Sequence, residues 1–194
     1  GGRPGKVDGG VDLDGTVAPA WAIVDAEGVG KLSTRALAKA LNVQSPALYW
    51  HVKSKDQLLS IMMERLLEDS LAEPSSEMGW QDWMRHVGRR QRLSLLSHRD
   101  TGIIASIAHP SAKLQNDLFP KLFQPLRDAG VAATQASSAA GALASLVIGW
   151  VLYEQRPETR RFVEAYHSSD EGFEFALEAL ISGVEAKIGK GMLG

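Results

Sequence analysis

Between Lys31 and Lys55 the chain places five basic residues, Lys31, Arg35, Lys39, Lys53 and Lys55, and no acidic one. The whole molecule has a formal net charge of -2, so it is no polycation. A basic window on such a chain can meet a phosphate backbone in one place only. The competing reading is a solvated face with a chance excess of lysine. Inside the window, "QSPALYWHVKSKDQLL" (44–59) crowds a proline, two aromatic residues and a histidine between two helical-looking runs. Elsewhere the chemistry is sparse. There is no cysteine, which removes disulfides, thiolate metal sites and cysteine nucleophiles and suits a reducing, cytoplasmic setting. The 5 histidines and the scattered acids show no nucleophile–base spacing, and no glycine-rich phosphate loop is present. Asp82 and His86, one turn apart, read as a helix-surface contact. The chain is therefore not expected to be an enzyme, and neither a metal nor an organic cofactor is expected.

The elements that must position this window read as helix throughout, and the expected fold class is all-α. Residues 13–27 repeat apolar groups at helical spacing, with Pro19 expected in the first turn and "EGVG" as a stop. In "LSTRALAKALNV", Ser33 or Thr34 can cap a helix whose inner side is Leu37, Ala38 and Leu41, and Asn42 can end it in a left-handed conformation. Ser45 and Pro46 then read as the cap and first-turn proline of a second short helix. Two short helices joined by about four residues form a helix-turn-helix pattern. Ser54 and Gln57 make a capping box for the next helix.

"AEPSSEMG" (72–79) reads as a linker. It separates a DNA-binding unit with its connecting helix, 13–71, from a helical body, 80–190. The glycine-rich residues 1–12 are expected to be a disordered tail, and no signal peptide is visible. In the body, Leu114, Leu118, Leu122 and Leu126 step by four, with bends expected at Pro120 and Pro125. The apolar run 136–151 is broken by serines and glycines and is expected not to span a bilayer. The last two apolar stretches are the expected dimer interface, carried by Leu143, Leu146, Val147 and Phe173, and by Leu177, Leu180, Ile181 and Val184.

Residues 32–67 resemble the DNA-binding domain of the tetracycline-repressor (TetR) family. The likeness is carried by a capped "STR-LA--L-V" helix followed by "PALYWHVKSKDQLL". "LLSHRD" (95–100) and "EGFEFALEALISGVEA" (171–186) also resemble the ligand-binding body of the subgroup that includes the tetracycline repressor itself. The resemblance implies a homodimeric transcriptional regulator that binds double-stranded operator DNA as two half-sites and releases it on binding a small molecule. It assigns base reading to Gln44, Ser45, Pro46 and Ala47, and the chemistry agrees: amide and hydroxyl groups read base edges, and a methyl meets thymine. It assigns phosphate contacts to Thr34, Arg35, Tyr49, His51, Lys53 and Lys55, which set register rather than sequence. Trp50 has two readings, a core ring behind the recognition helix or a backbone contact, and is expected to be mostly core.

In that subgroup a magnesium–drug chelate is held by two histidines and a glutamate. Those positions fall at Leu71, Ala105 and Tyr153, and side chains of the first two kinds cannot coordinate a hard cation. An apolar or aromatic effector is expected instead. The candidate contacts are Trp83, Val87, Leu96, Ile104 and Ile107, with Leu118, Phe119, Phe123, Trp150 and Tyr153; His98 and His109 offer polar contacts and Arg99 a partner for an acid. The rival reading is a helical protein- or small-molecule-binding module without specific DNA binding.

Overall fold

The computed structural model describes residues 13–72 and 78–191. The expected tail, 1–12, and most of the expected linker lie outside them. Among the described residues the chain is all-α: α1 (Leu13–Glu27), α2 (Thr34–Ala40), α3 (Ser45–Tyr49), α4 (Lys55–Leu71), α5 (Trp80–Leu96), α6 (Thr101–Ile107), α7 (Phe119–Asp128), α8 (Ala133–Glu154), α9 (Pro157–Glu164) and α10 (Ser169–Gly191). α1 to α3 pack with α4 into a small N-terminal bundle. α4 then runs against α5, and α8 lies at the centre of the body against α5, α6, α7 and α10.

Local chemistry sets both ends of α2 and the start of α4. Ser33 caps α2, its hydroxyl accepting from the Ala36 N–H at 3.0 Å. Asn42 ends the helix at φ 53°, with the Val43 N–H on the Ala38 carbonyl and the Asn42 N–H on the Lys39 carbonyl, the two bonds of a Schellman motif. Ser54 caps α4 by accepting from the Gln57 N–H at 3.1 Å. The Gln57 amide reaches back one residue further than a capping box requires, to the Lys53 N–H at 2.8 Å.

The structure differs from the sequence reading, or adds to it, at four points. Pro19 lies inside α1 rather than in its first turn. The helix forgoes one bond to the Gly15 carbonyl and carries on because Ala20, Trp21 and Val24 just beyond it are buried. The cap of α3 is Gln44 by its backbone, and Ser45 is the first helical residue. α9 has no counterpart in the sequence reading. It begins on Pro157, and the Arg160–Glu164 pair at 2.8 Å supports it. Finally, α8 is long and apolar enough, by length and composition, to cross a membrane. Its Ala136, Ala140, Leu143, Val147 and Val151 instead point into the protein at helical spacing and form the core of the body.

Close approach to α8 depends on small residues. A Cβ on Gly102 of α6 would lie 2.8 Å from the Leu152 Cα, backbone that cannot step aside. Gly102→Ala is therefore expected to destabilise the body by about 1–3 kcal/mol through overpacking, measured as a lower midpoint in urea unfolding. Between α6 and α7, Leu114–Leu118 form a π-helical turn. Pro120 follows it and has no N–H for the Asn116 carbonyl, so the chain widens there rather than continuing a regular ladder.

Candidate DNA-contacting surface and effector cavity

α3 is five residues long and presents only Leu48 inward, at 1% exposure, followed by Val52 at 0%. Their i, i+4 spacing fixes the opposite side as the outer one. Gln44, Ser45, Pro46, Ala47 and Tyr49 all lie on the outside, as do Arg35 and Lys53, while Thr34 and His51 are half-buried. The Gln44, Ser45, Arg35 and Tyr49 side chains make no hydrogen bond among the described residues, so their polar groups face outward uncommitted. Trp50 corrects an expectation: it is 84% exposed, because Leu48 and Val52 already occupy the inward positions. With Ser45, Pro46 and Tyr49 it forms a shallow apolar depression on the outer surface.

Lys55 is half-buried, and its ammonium donates to the Val29 carbonyl at 2.7 Å. It ties the start of α4 to the turn after α1, so one of its donors is spent inside the protein.

The same turn meets the body. Asp25 on α1 accepts from the Arg99 N–H at 2.8 Å and contacts His98 Nδ1 at 2.9 Å. Burial pushes the Asp25 carboxyl up, but the Arg99 N–H and His98 outweigh it and hold the group below the usual carboxylate range. The His98 ring stacks on Trp21 at 4.3 Å. Asp100, in a left-handed conformation, accepts from the Val29 N–H at 2.9 Å. "LLSHRD" is thus a latch between the two units. His98 is engaged in that latch and does not line the cavity between α4 and α8, and Arg99 lies 3.7 Å from Asp100.

A cavity of about 220 Å³ opens between α4, α5, α6, the π-helical turn, α7 and α8. Of the residues expected to contact an effector, Phe119 and His109 line it. Trp83, Val87, Ile104 and Leu118 are core residues, and the Trp83 indole donates to the Leu122 carbonyl at 3.0 Å. Leu96, Ile107 and Tyr153 are exposed. Phe123 packs edge-on against Phe119 at 5.8 Å. Trp150 sits across α8, against Phe173 and Ser169 of α10.

Sequence reasoning missed the polar edge of α4, which borders this cavity at Ser60 and Glu64. Ser60, Glu64 and Glu68 recur every four residues along α4. They hold alternate residues of the segment that leads into the π-helical turn. The Ser60 hydroxyl donates to the His109 carbonyl at 2.7 Å, the Ser111 hydroxyl donates to Glu64, and Lys113 pairs with Glu68. The signal was the polar i, i+4, i+8 series running between the leucines and methionines.

The chelate positions do not fit a metal. Leu71 is half-buried, Ala105 lines the cavity and Tyr153 is 56% exposed. The neighbouring Glu154 is taken by Arg92 at 2.5 Å. Among the described residues no three His, Cys, Asp or Glu side chains gather to hold an ion.

The expected interface residues divide in two. Leu143, Val147, Phe173, Leu177 and Ile181 are buried within the single chain. The reason is visible at Gly88 of α5, where an added Cβ would lie 3.1 Å from both Leu143 and Leu177: these leucines close over α5 instead of facing a second subunit. Leu180 and Val184 line an open groove between α8 and α10, with Ala142, Gly183 and Ile188, and Leu146 is half-buried beside it.

Residues 18–61 match the family model of bacterial regulatory proteins of the tetR family, and residues 73–168 match that of the tetracyclin repressor-like C-terminal domain. The class C tetracycline repressor protein of Escherichia coli is 31% identical over 75% of this chain and 67% of its own length. A TetR variant from Acinetobacter baumannii AYE, solved in complex with minocycline, superposes with a TM-score of 0.78 at 29% identity, covering 91% of this chain and 94% of that one. ActR of Streptomyces coelicolor, solved in complex with actinorhodin, gives a TM-score of 0.78 at 25% identity, over 93% of this chain and 98% of that one. With its two short helices in the first matched stretch and its cavity-bearing body in the second, this chain belongs to the TetR family of DNA-binding, helix-turn-helix transcriptional regulators.

Proposed function

We propose that this protein is a cytoplasmic, homodimeric repressor that leaves a palindromic operator when a small, mainly apolar molecule enters the cavity between α4 and α8. As a TetR-family regulator it is not an enzyme. The observation that carries the reading is continuity. α4 begins at Lys55, bonded to the turn after α1, and runs on along the cavity wall at Ser60, Glu64 and Leu67. A ligand that reshapes that wall favours one placement of α4 over another and so changes operator affinity by linkage. The minocycline and actinorhodin complexes of the structural relatives support a small-molecule effector. The chain divides on this reading into a DNA-binding unit, 13–71, and an effector-binding and dimerisation body, 80–190.

Gln44, Ser45, Pro46 and Ala47 read bases, while Thr34, Arg35, Tyr49, His51 and Lys53 touch phosphate. Trp50 joins the contact surface because it is exposed beside Tyr49. The subunits meet through the α8–α10 groove, at Leu146, Leu180 and Val184, which would space the two recognition helices for half-sites about one helical turn apart.

Arg35→Ala is expected to weaken binding to all duplexes alike and to flatten the dependence of log affinity on log salt by about one phosphate contact. Lys55→Ala is expected to do less to that slope and more to stability, since its ammonium already serves the Val29 carbonyl. Gln44→Ala should instead reorder the affinities of operator variants. Fluorescence anisotropy titrations across a salt series test all three. A steeper loss of salt dependence in Lys55→Ala than in Arg35→Ala would reverse these roles.

A further inference from the structure

Among the described residues Glu64 is the one Asp or Glu in the cavity wall, and no lysine or arginine lines that wall with it. The residue is 9% exposed. Its hydrogen-bond partner within the chain is the neutral Ser111 hydroxyl. The nearby cations are engaged elsewhere: Lys113, two residues beyond Ser111, pairs with Glu68, and so does Arg65 at 2.7 Å. His109 also lines the cavity, yet it makes no ion pair with Glu64. The contrast with Glu154 is informative. That carboxylate is comparably buried but has Arg92 against it. A buried carboxylate facing an apolar hollow without a cation is costly, and a cation supplied from outside would offset that cost.

We propose that the effector of this protein is cationic: an apolar, ring-bearing molecule with a protonated amine that pairs with Glu64. The proposal rests on the reading of this cavity as the effector site. The rest of the wall suits such a molecule. Met63, Leu95, Leu114 and Phe119 enclose its apolar body, and the Gln91 amide oxygen can accept a second ammonium hydrogen. A neutral isostere leaves the carboxylate uncompensated, and an anion meets it with like charge. Pairing at Glu64 also competes with Ser111 for the carboxylate, so the charge of the ligand acts on the middle rung between α4 and the segment before the π-helical turn.

The test uses the full chain and three two-ring probes that differ in charge: 1-naphthylmethylamine, 1-naphthylmethanol and 1-naphthoate, each titrated calorimetrically at pH 7. The amine is expected to bind about ten- to a hundredfold more tightly than the alcohol, with naphthoate the weakest. Glu64→Gln is nearly isosteric and keeps an acceptor for Ser111, and in it the amine-to-alcohol ratio should fall towards one. Equal affinities for amine and alcohol in the unsubstituted protein, or a preference for the amine that survives Glu64→Gln, would overturn the cationic assignment and leave the cavity reading standing. Ala144→Phe fills the cavity and is expected to weaken all three probes. Binding that ignores Ala144→Phe, or no binding by any probe, would defeat the cavity reading and the charge assignment with it.

Discussion

Leu48→Ala abolishes DNA binding while the helical body stays folded: this is the largest functional effect expected from a single truncation in the chain. α3 is five residues long, far too short to be helical alone, so it exists only as long as it is docked. Leu48 is its one buried side chain, supported by Val52 one turn on. The cap at Gln44 contributes no side-chain hydrogen bond that could hold the helix otherwise. Removing the isobutyl group is expected to cost about 2–5 kcal/mol, a large share of the stability of a small domain. The outward residues, Gln44 to Ala47 and Tyr49, then lose their common orientation. Circular dichroism should retain most of its helical signal, since the other helices are untouched, while duplex binding at low salt disappears. Binding within twofold of the unsubstituted protein would mean that α3 is not the contact element.

Arg92→Ala should cost the body about 3–5 kcal/mol, the penalty for leaving a buried charge without its partner. Arg92 donates to Glu154 at 2.5 and 3.0 Å and to Asp170 at 2.6 Å, and its guanidinium lies 4.7 Å from the Phe173 ring centroid. Ser169 adds a bond to Glu154 at 2.6 Å and accepts from the Trp150 indole at 3.2 Å. The network joins α5, α8 and α10 where they must hold the proposed subunit interface in place. Arg85 and Glu178 also join α5 to α10, at 2.7 Å, but the glutamate side chain is 43% exposed. Exposed pairs of that kind contribute about 0–1 kcal/mol. Urea unfolding of Arg92→Ala and Arg85→Ala side by side should therefore show a large and a small loss. Equal losses would mean that burial does not set the cost here. A shift of Arg92→Ala towards monomer in sedimentation is the accompanying expectation.

These two sites differ in how far they could be read in advance. The helix-turn-helix was legible because capping and turn residues act locally: Ser33, Asn42 and Ser54 each set a boundary through a bond within a few residues, and Pro46 suits a first helical turn through its fixed φ. Trp50 falls outside because Leu48 and Val52, four residues apart, already take the inner side. Leu143 and Leu177 were misassigned for a different reason. An apolar stripe shows that a face is covered, not what covers it, and here Gly88 lets the same chain do so. The cavity was misjudged through large side chains such as Trp83 and Ile104, which fill space. A hollow arises where side chains fall short, as at Ala105, Ala108 and Ala144, and those positions look unremarkable in sequence. The Arg92 network unites residues 62 and 78 positions apart, and no local pattern announces it.

The central claim is sequence-specific binding by a dimer, and selection from a randomised duplex library in the presence of competitor DNA tests it most directly. Enrichment of a palindrome whose half-sites lie about one helical turn apart is expected, with Gln44→Ala selecting a different base at one position in each half. A folded, dimeric protein that enriches no sequence would contradict it.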